Sequence, residues 1–62
     1  MNNREVIIEF VPVGSLVKVV AMDTKTLTEV SISGPKTTPQ QMLKNNAIKR
    51  LEYVLRKKGI IS

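Results

Sequence analysis

Residues 38–59 read TPQQMLKNNAIKRLEYVLRKKG, and this stretch decides the fold because both ends of a helix are written into it. Thr38 suits an N-cap, where a hydroxyl accepts a hydrogen bond from an unpaired N–H of the first turn. Gln41, three residues on, completes a capping box. Pro39 then falls at the first helical position, where a missing N–H costs nothing. At the far end Gly59 suits the left-handed residue after the last turn, with Ile60 placed to fold back on the helix. These signals agree on a helix over about 39–58. At about 100° per residue, Leu43, Ala47, Ile48, Leu51, Val54 and Leu55 share an arc of roughly 140°, wide enough to cover a sheet. The opposite side collects Asn45, Asn46, Lys49, Arg50, Tyr53, Arg56 and Lys57. Lys44 and Lys58 flank the apolar arc at its two ends, where a long stem carries the charge to water.

The helix also carries the charge. It holds six cations against Glu52 alone, whereas residues 1–41 hold Arg4, Lys18, Lys25 and Lys36 against Glu5, Glu9, Asp23 and Glu29. The whole net charge of +5 therefore sits on one helix.

Upstream, the chain alternates with period two, as strands do. From Arg4 to Val13, Val6, Ile8 and Phe10 point one way and Glu5, Ile7, Glu9 and Val11 the other. Pro12-Val13-Gly14 predicts a three-residue hairpin loop with Gly14 left-handed. A second strand over Ser15–Met22 sets Val17, Val19 and Ala21 against Leu16, Lys18, Val20 and Met22. Asp23-Thr24-Lys25-Thr26 reads as a short turn in which Asp23 bonds the backbone ahead of it. A third strand, Leu27–Ser33, sets Thr28, Val30 and Ile32 against Glu29, Ser31 and Ser33 and is stopped by Gly34-Pro35. The expectation is one α+β domain over residues 1–62. It is a three-stranded antiparallel meander, with strands at about 4–12, 15–22 and 27–33, followed by one C-terminal amphipathic helix, in the order βββα.

One helix covers one face of such a sheet, yet apolar residues occur on both faces of the first two strands. Ile7, Val11, Leu16, Val20 and Met22 are left over, more than a solvated face should carry. Sixty-two residues also make a marginal core. A homodimer that buries these residues, or an exposed sheet edge, answers both points. The short Gly34–Thr37 connection allows an intertwined or domain-swapped form.

Chemistry is constrained by what is missing. Without Cys or His there is no disulfide, and zinc, haem and most transition metals lose their usual ligands. Glu5 and Glu9 lie roughly 13 Å apart along one strand face, and Glu29, Glu52 and Asp23 read like them as solvated surface charge. The serines have no His to activate them, and the glycines form no nucleotide-binding pattern. No catalytic residue, metal or cofactor is expected, so the chain reads as a non-enzyme. No apolar run approaches the roughly eighteen residues that span a bilayer, and the N-terminus lacks the build of a signal peptide. The default is a cytoplasmic protein with no membrane partner. Lys49, Arg50, Tyr53, Arg56 and Lys57 are the candidate contacts for an anion or a nucleic acid, with a second copy doubling the footprint. The competing reading is ordinary solvation, helped near the C-terminus by the helix dipole.

Taken together, Arg4-Glu5-Val6, Glu9-Phe10, Val13-Gly14, Val17-Lys18-Val19, Ala21-Met22-Asp23, Glu29-Val30-Ser31-Ile32, Gly34-Pro35, Leu51-Glu52-Tyr53-Val54-Leu55 and Lys58-Gly59 resemble a family of small uncharacterised bacterial proteins, mainly alphaproteobacterial. The resemblance implies a small cytoplasmic α+β domain with intertwined homodimers, and no activity. Some relatives carry a serine hydroxymethyltransferase label, but nothing here matches that enzyme's motifs or size. The expected role is a small homodimeric interaction or structural module, open to an unidentified protein partner. Nucleic-acid binding through the basic helix face is the alternative.

Overall fold

The computed structural model describes residues 4–62. The chain forms β1 (Val6–Val13), β2 (Leu16–Asp23), β3 (Glu29–Pro35) and α1 (Gln40–Lys57). The strands pair antiparallel in the order β1-β2-β3, with β2 central. This is the βββα arrangement that the two periodicities predict.

The turns differ from expectation in ways that position the sheet borders. The first hairpin closes at Val13↔Leu16, so its loop is Gly14-Ser15 and not three residues. Gly14 has φ +60°, which fits the first position of a type II′ turn and matches the twist of the flanking strands. Pro12 is not in the turn; it pairs with Val17 inside β1. Backbone bonds beyond the strands fix which groups face inward. The Thr24 N–H donates to the Glu5 carbonyl at 3.2 Å, Asp23 N–H to Thr28 at 2.9 Å and Lys36 N–H to Ser15 at 3.1 Å. Antiparallel ladders bond at every second residue. Ile7, Glu9, Val11 and Val13 therefore turn their backbone toward β2, and Val6, Ile8, Phe10 and Pro12 turn theirs outward. Pro12 has no N–H to lose at that border. The same counting leaves Glu29, Ser31, Ser33 and Pro35 outward on β3. That is why β3 runs through Pro35, where the sequence predicts a stop.

β3 begins at Glu29, two residues later than predicted. Leu27 belongs to the preceding turn, with φ +60° and its N–H bonded to the Asp23 carbonyl at 2.8 Å. A left-handed residue is disfavoured for any L side chain bearing a Cβ, so leucine gives no sequence signal for this bend.

Thr38 does not cap α1. The N-cap is Pro39, extended at ψ 137°, and no side chain bonds the first turn. The Pro39 carbonyl accepts from Met42 and Leu43 at 3.1 and 3.2 Å, while the Thr38 N–H goes to Pro35 at 3.0 Å. Gln41 does not reach back either; its amide donates to Asn45 Oδ1 at 3.2 Å. The other end is as predicted. Gly59 has φ +75°, its N–H donates to Arg56 and that of Ile60 to Leu55, both at 2.9 Å. This double bond pattern is the usual glycine C-terminal motif.

The core is Val19, Ala21, Leu43, Ala47, Leu51 and Leu55, with Val6, Ile8, Phe10, Val17, Val30, Ile32, Ile60 and Ile61 packed around it. Those are the predicted helix-facing residues of all three strands. At Gly34 an added Cβ would stand 2.6 Å from Leu43 Cδ2, so glycine lets α1 sit down on β3. α1 lies over β2 and β3. The fully buried strand residues all belong to central β2, and neither β1 nor β3 has one.

Candidate interaction surfaces

One of the five carboxylates is not solvated as predicted. Asp23, at the end of central strand β2, is completely buried. Its Oδ1 accepts from Arg4 Nε at 3.1 Å and its Oδ2 from Arg4 Nη2 at 2.8 Å. Oδ2 also takes the Thr26 N–H at 3.0 Å and hydroxyl at 2.7 Å, and Thr26 in turn meets the Thr28 hydroxyl at 2.7 Å. The hydrogen bonds from Arg4, and then Thr26, hold the Asp23 carboxyl well below the usual carboxylate range. The same contact raises the Arg4 guanidinium. Among the described residues no buried side-chain polar atom lacks a partner. The Asp23–Thr26 half of this cluster was visible as an Asx-type turn. Arg4 lies nineteen positions away in sequence, and only the Val6↔Asp23 register brings it in. The cluster pins the N-terminal segment to the turn.

The side of the sheet away from α1 carries the residues proposed for dimer contacts. Ile7 and Leu16 are exposed, at 51% and 46%, and Val11, Val20 and Met22 are half-buried. Val13 joins them at 58%; the loop assignment that put it in a turn hid it. These residues occupy the β1–β2 part of the face, and Glu29, Ser31 and Ser33 make the β3 part polar. On the helix side Val6, Ile8 and Phe10 are only half-buried. Apolar surface therefore gathers around β1 from both sides, along a border whose backbone groups at Val6, Ile8 and Phe10 have no strand beside them.

The basic residues come together on the outward side of α1. Lys49, Arg50, Tyr53, Arg56 and Lys57 are all exposed. Tyr53, 51% exposed, stands opposite the core. Arg50 and Lys57 lie over its ring, 5.7 and 5.9 Å from the centroid, close enough for cation–π attraction. Arg56 reaches Glu52 at 4.0 Å.

Among the described residues there is no pocket, and no group of three or more Asp, Glu, His or Cys side chains that could hold a metal ion. No described helix is long and apolar enough to cross a membrane. Neither curated proteins nor solved structures give a match to this chain. A family described as a domain of unknown function, DUF6898, matches residues 3–58, which takes in all three strands and the whole of α1. The chain belongs to the DUF6898 family.

Proposed function

We propose that the chain is a homodimeric, non-catalytic interaction module in which a second copy adds its β1 antiparallel along the open border of the first. The observation that carries this reading is the state of β1: apolar on both sides, fully buried nowhere, and unpaired along one edge. Unprotected edges recruit further strands, and here the edge is self-complementary. A two-fold axis at Ile8 sets it opposite the partner's Ile8 and sets Val6 opposite the partner's Phe10. That adds about six backbone hydrogen bonds and apolar cross-strand pairs contributing about 0.2–1 kcal/mol each. The next outward residue is Pro12, whose missing N–H ends the ladder and fixes the register. The β3 border is a poorer candidate, since its outward residues are Glu29, Ser31, Ser33 and Pro35. Ile7 and Val11 lie at the proposed seam, with Leu16, Val20 and Met22 on the strand behind it. No exchange of helices is required.

The chain has no cysteine, so a single introduced thiol reports on the seam. Directly opposed residues of a bonded pair have Cα atoms about 5.5 Å apart, within disulfide range. Ile8→Cys should form a covalent dimer under mild oxidation, and Val20→Cys should not. Light scattering should give twice 6.9 kDa. Cross-linking through Val20→Cys in place of Ile8→Cys would mean that the sheets stack face to face. A single-chain mass at concentrations on the order of 100 µM, where even weak specific interfaces form, would dispose of the dimer.

A further inference from the structure

We infer that the outward side of α1 binds the phosphate backbone of double-stranded nucleic acid, and that the two copies of the dimer present it as one surface. The second clause rests on the strand-pairing proposed above.

Charge in this molecule is segregated by layer. α1 and its C-cap Lys58 hold six cations and only Glu52. On the other side of the sheet Glu5, Glu9 and Glu29 are exposed with Lys18, so acids outnumber cations there. Solvation alone asks for mixed signs on each face; a one-signed face attracts a polyanion. Cations near a helix C-terminus complement the dipole, which accounts for Arg56 and Lys57. It does not account for Lys49 and Arg50, which lie in the middle of α1. Arg50 and Lys57 both lie over the Tyr53 ring, so two of the cations are positioned before any ligand arrives.

The partner class follows from what the rest of α1 does. Helices that lie on membranes need a free apolar face, and here Leu43, Ala47, Leu51 and Leu55 are buried against the sheet. Binding to single strands relies on stacking on several exposed aromatic rings. This chain has one tyrosine and one phenylalanine, and Phe10 packs against the core. A duplex backbone needs only cations and hydrogen-bond donors.

Antiparallel strands joined in one sheet are related by a two-fold axis perpendicular to it, so both helices stand on the same side. With strands about 4.8 Å apart and α1 over β2 and β3, the two basic sides lie roughly 20 Å apart. They face the same direction, so one duplex touches both.

Fluorescence polarisation with mixed-sequence duplex DNA and duplex RNA, at low and moderate salt, tests this. With about six phosphates contacted per dimer, affinity should fall roughly a thousandfold between 50 and 200 mM salt. Replacing Lys49, Arg50, Arg56 and Lys57 together by Gln should abolish binding, with circular dichroism and the dimer mass unchanged. Ile8→Pro removes the outward N–H together with a side chain at the edge of the core, and as a monomer shown by circular dichroism to be folded it should bind at least tenfold more weakly, with about half the salt slope. The dimer covalently closed through Ile8→Cys should bind like the wild-type protein, so the dimer's share in binding is read without relying on Ile8→Pro. No binding to either duplex, or binding only to anionic lipid vesicles, would overturn the inference whatever the cross-linking shows. Equal affinity and slope for monomer and dimer would overturn the shared surface.

Discussion

Asp23 closes the end of the sheet, and it does so as an ion. Its carboxylate is buried with Arg4 and Thr26 as partners, so removing any one of them leaves a buried group unsatisfied. The folded carboxyl is held below its ordinary value of about 3.9. Its stabilisation is therefore fully present above that pH and is lost as pH falls through the lower folded value. Asp23→Asn should flatten the acid side of the stability profile and lower the neutral-pH melting temperature by roughly fifteen degrees or more. Thermal melts across the acid range measure both, and an unchanged acid slope would show that another group governs acid unfolding. A sequence reader sees Asp23 at a turn and assigns it to solvent. What reverses that assignment is Arg4, and a partner set by strand register leaves no trace in local spacing.

The two ends of α1 show which element signals a sequence carries. Gly59 was legible because a left-handed residue after a helix is nearly a glycine's monopoly. Thr38 was misleading because its backbone N–H is already committed to Pro35 and Pro39 is extended. Urea denaturation separates these roles. Thr38→Ala should change stability by less than about 0.5 kcal/mol, where a true cap would cost about 1 kcal/mol. Gly59→Ala should cost about 1 kcal/mol, through the left-handed backbone. A larger loss at Thr38 than at Gly59 would contradict the cap geometry. The strand faces were legible throughout: Val6, Ile8, Phe10, Val19, Ala21 and Ile32 fall where alternation put them. Turn lengths were not. Leu27 in a left-handed conformation and Pro12 within β1 both contradict residue preference, and each is permitted by its place: a solvent-exposed bend and an outward-facing edge.

At the scale of the molecule, 62 residues leave one helix to cover three strands. It lies over β2 and β3, and only β2 has fully buried residues. The sequence pattern showed that apolar residues exceed what α1 hides, but not where the excess collects, because that depends on which strands the helix lies across. Its position over β2 and β3 turns a diffuse surplus on one face into a specific uncovered strand. The basic side of α1 was equally legible as composition, while its arrangement around Tyr53 required the structure. The interaction module and the shared basic surface both depend on β1 having a second copy beside it. Amide hydrogen exchange at Val6, Ile8 and Phe10, followed by NMR at two protein concentrations, reads that border directly. These N–H groups should exchange slowly in concentrated solution and become fast on dilution, while Ile7 and Glu9, bonded within the chain, stay slow in both. Fast exchange at Val6, Ile8 and Phe10 at every concentration would contradict the account.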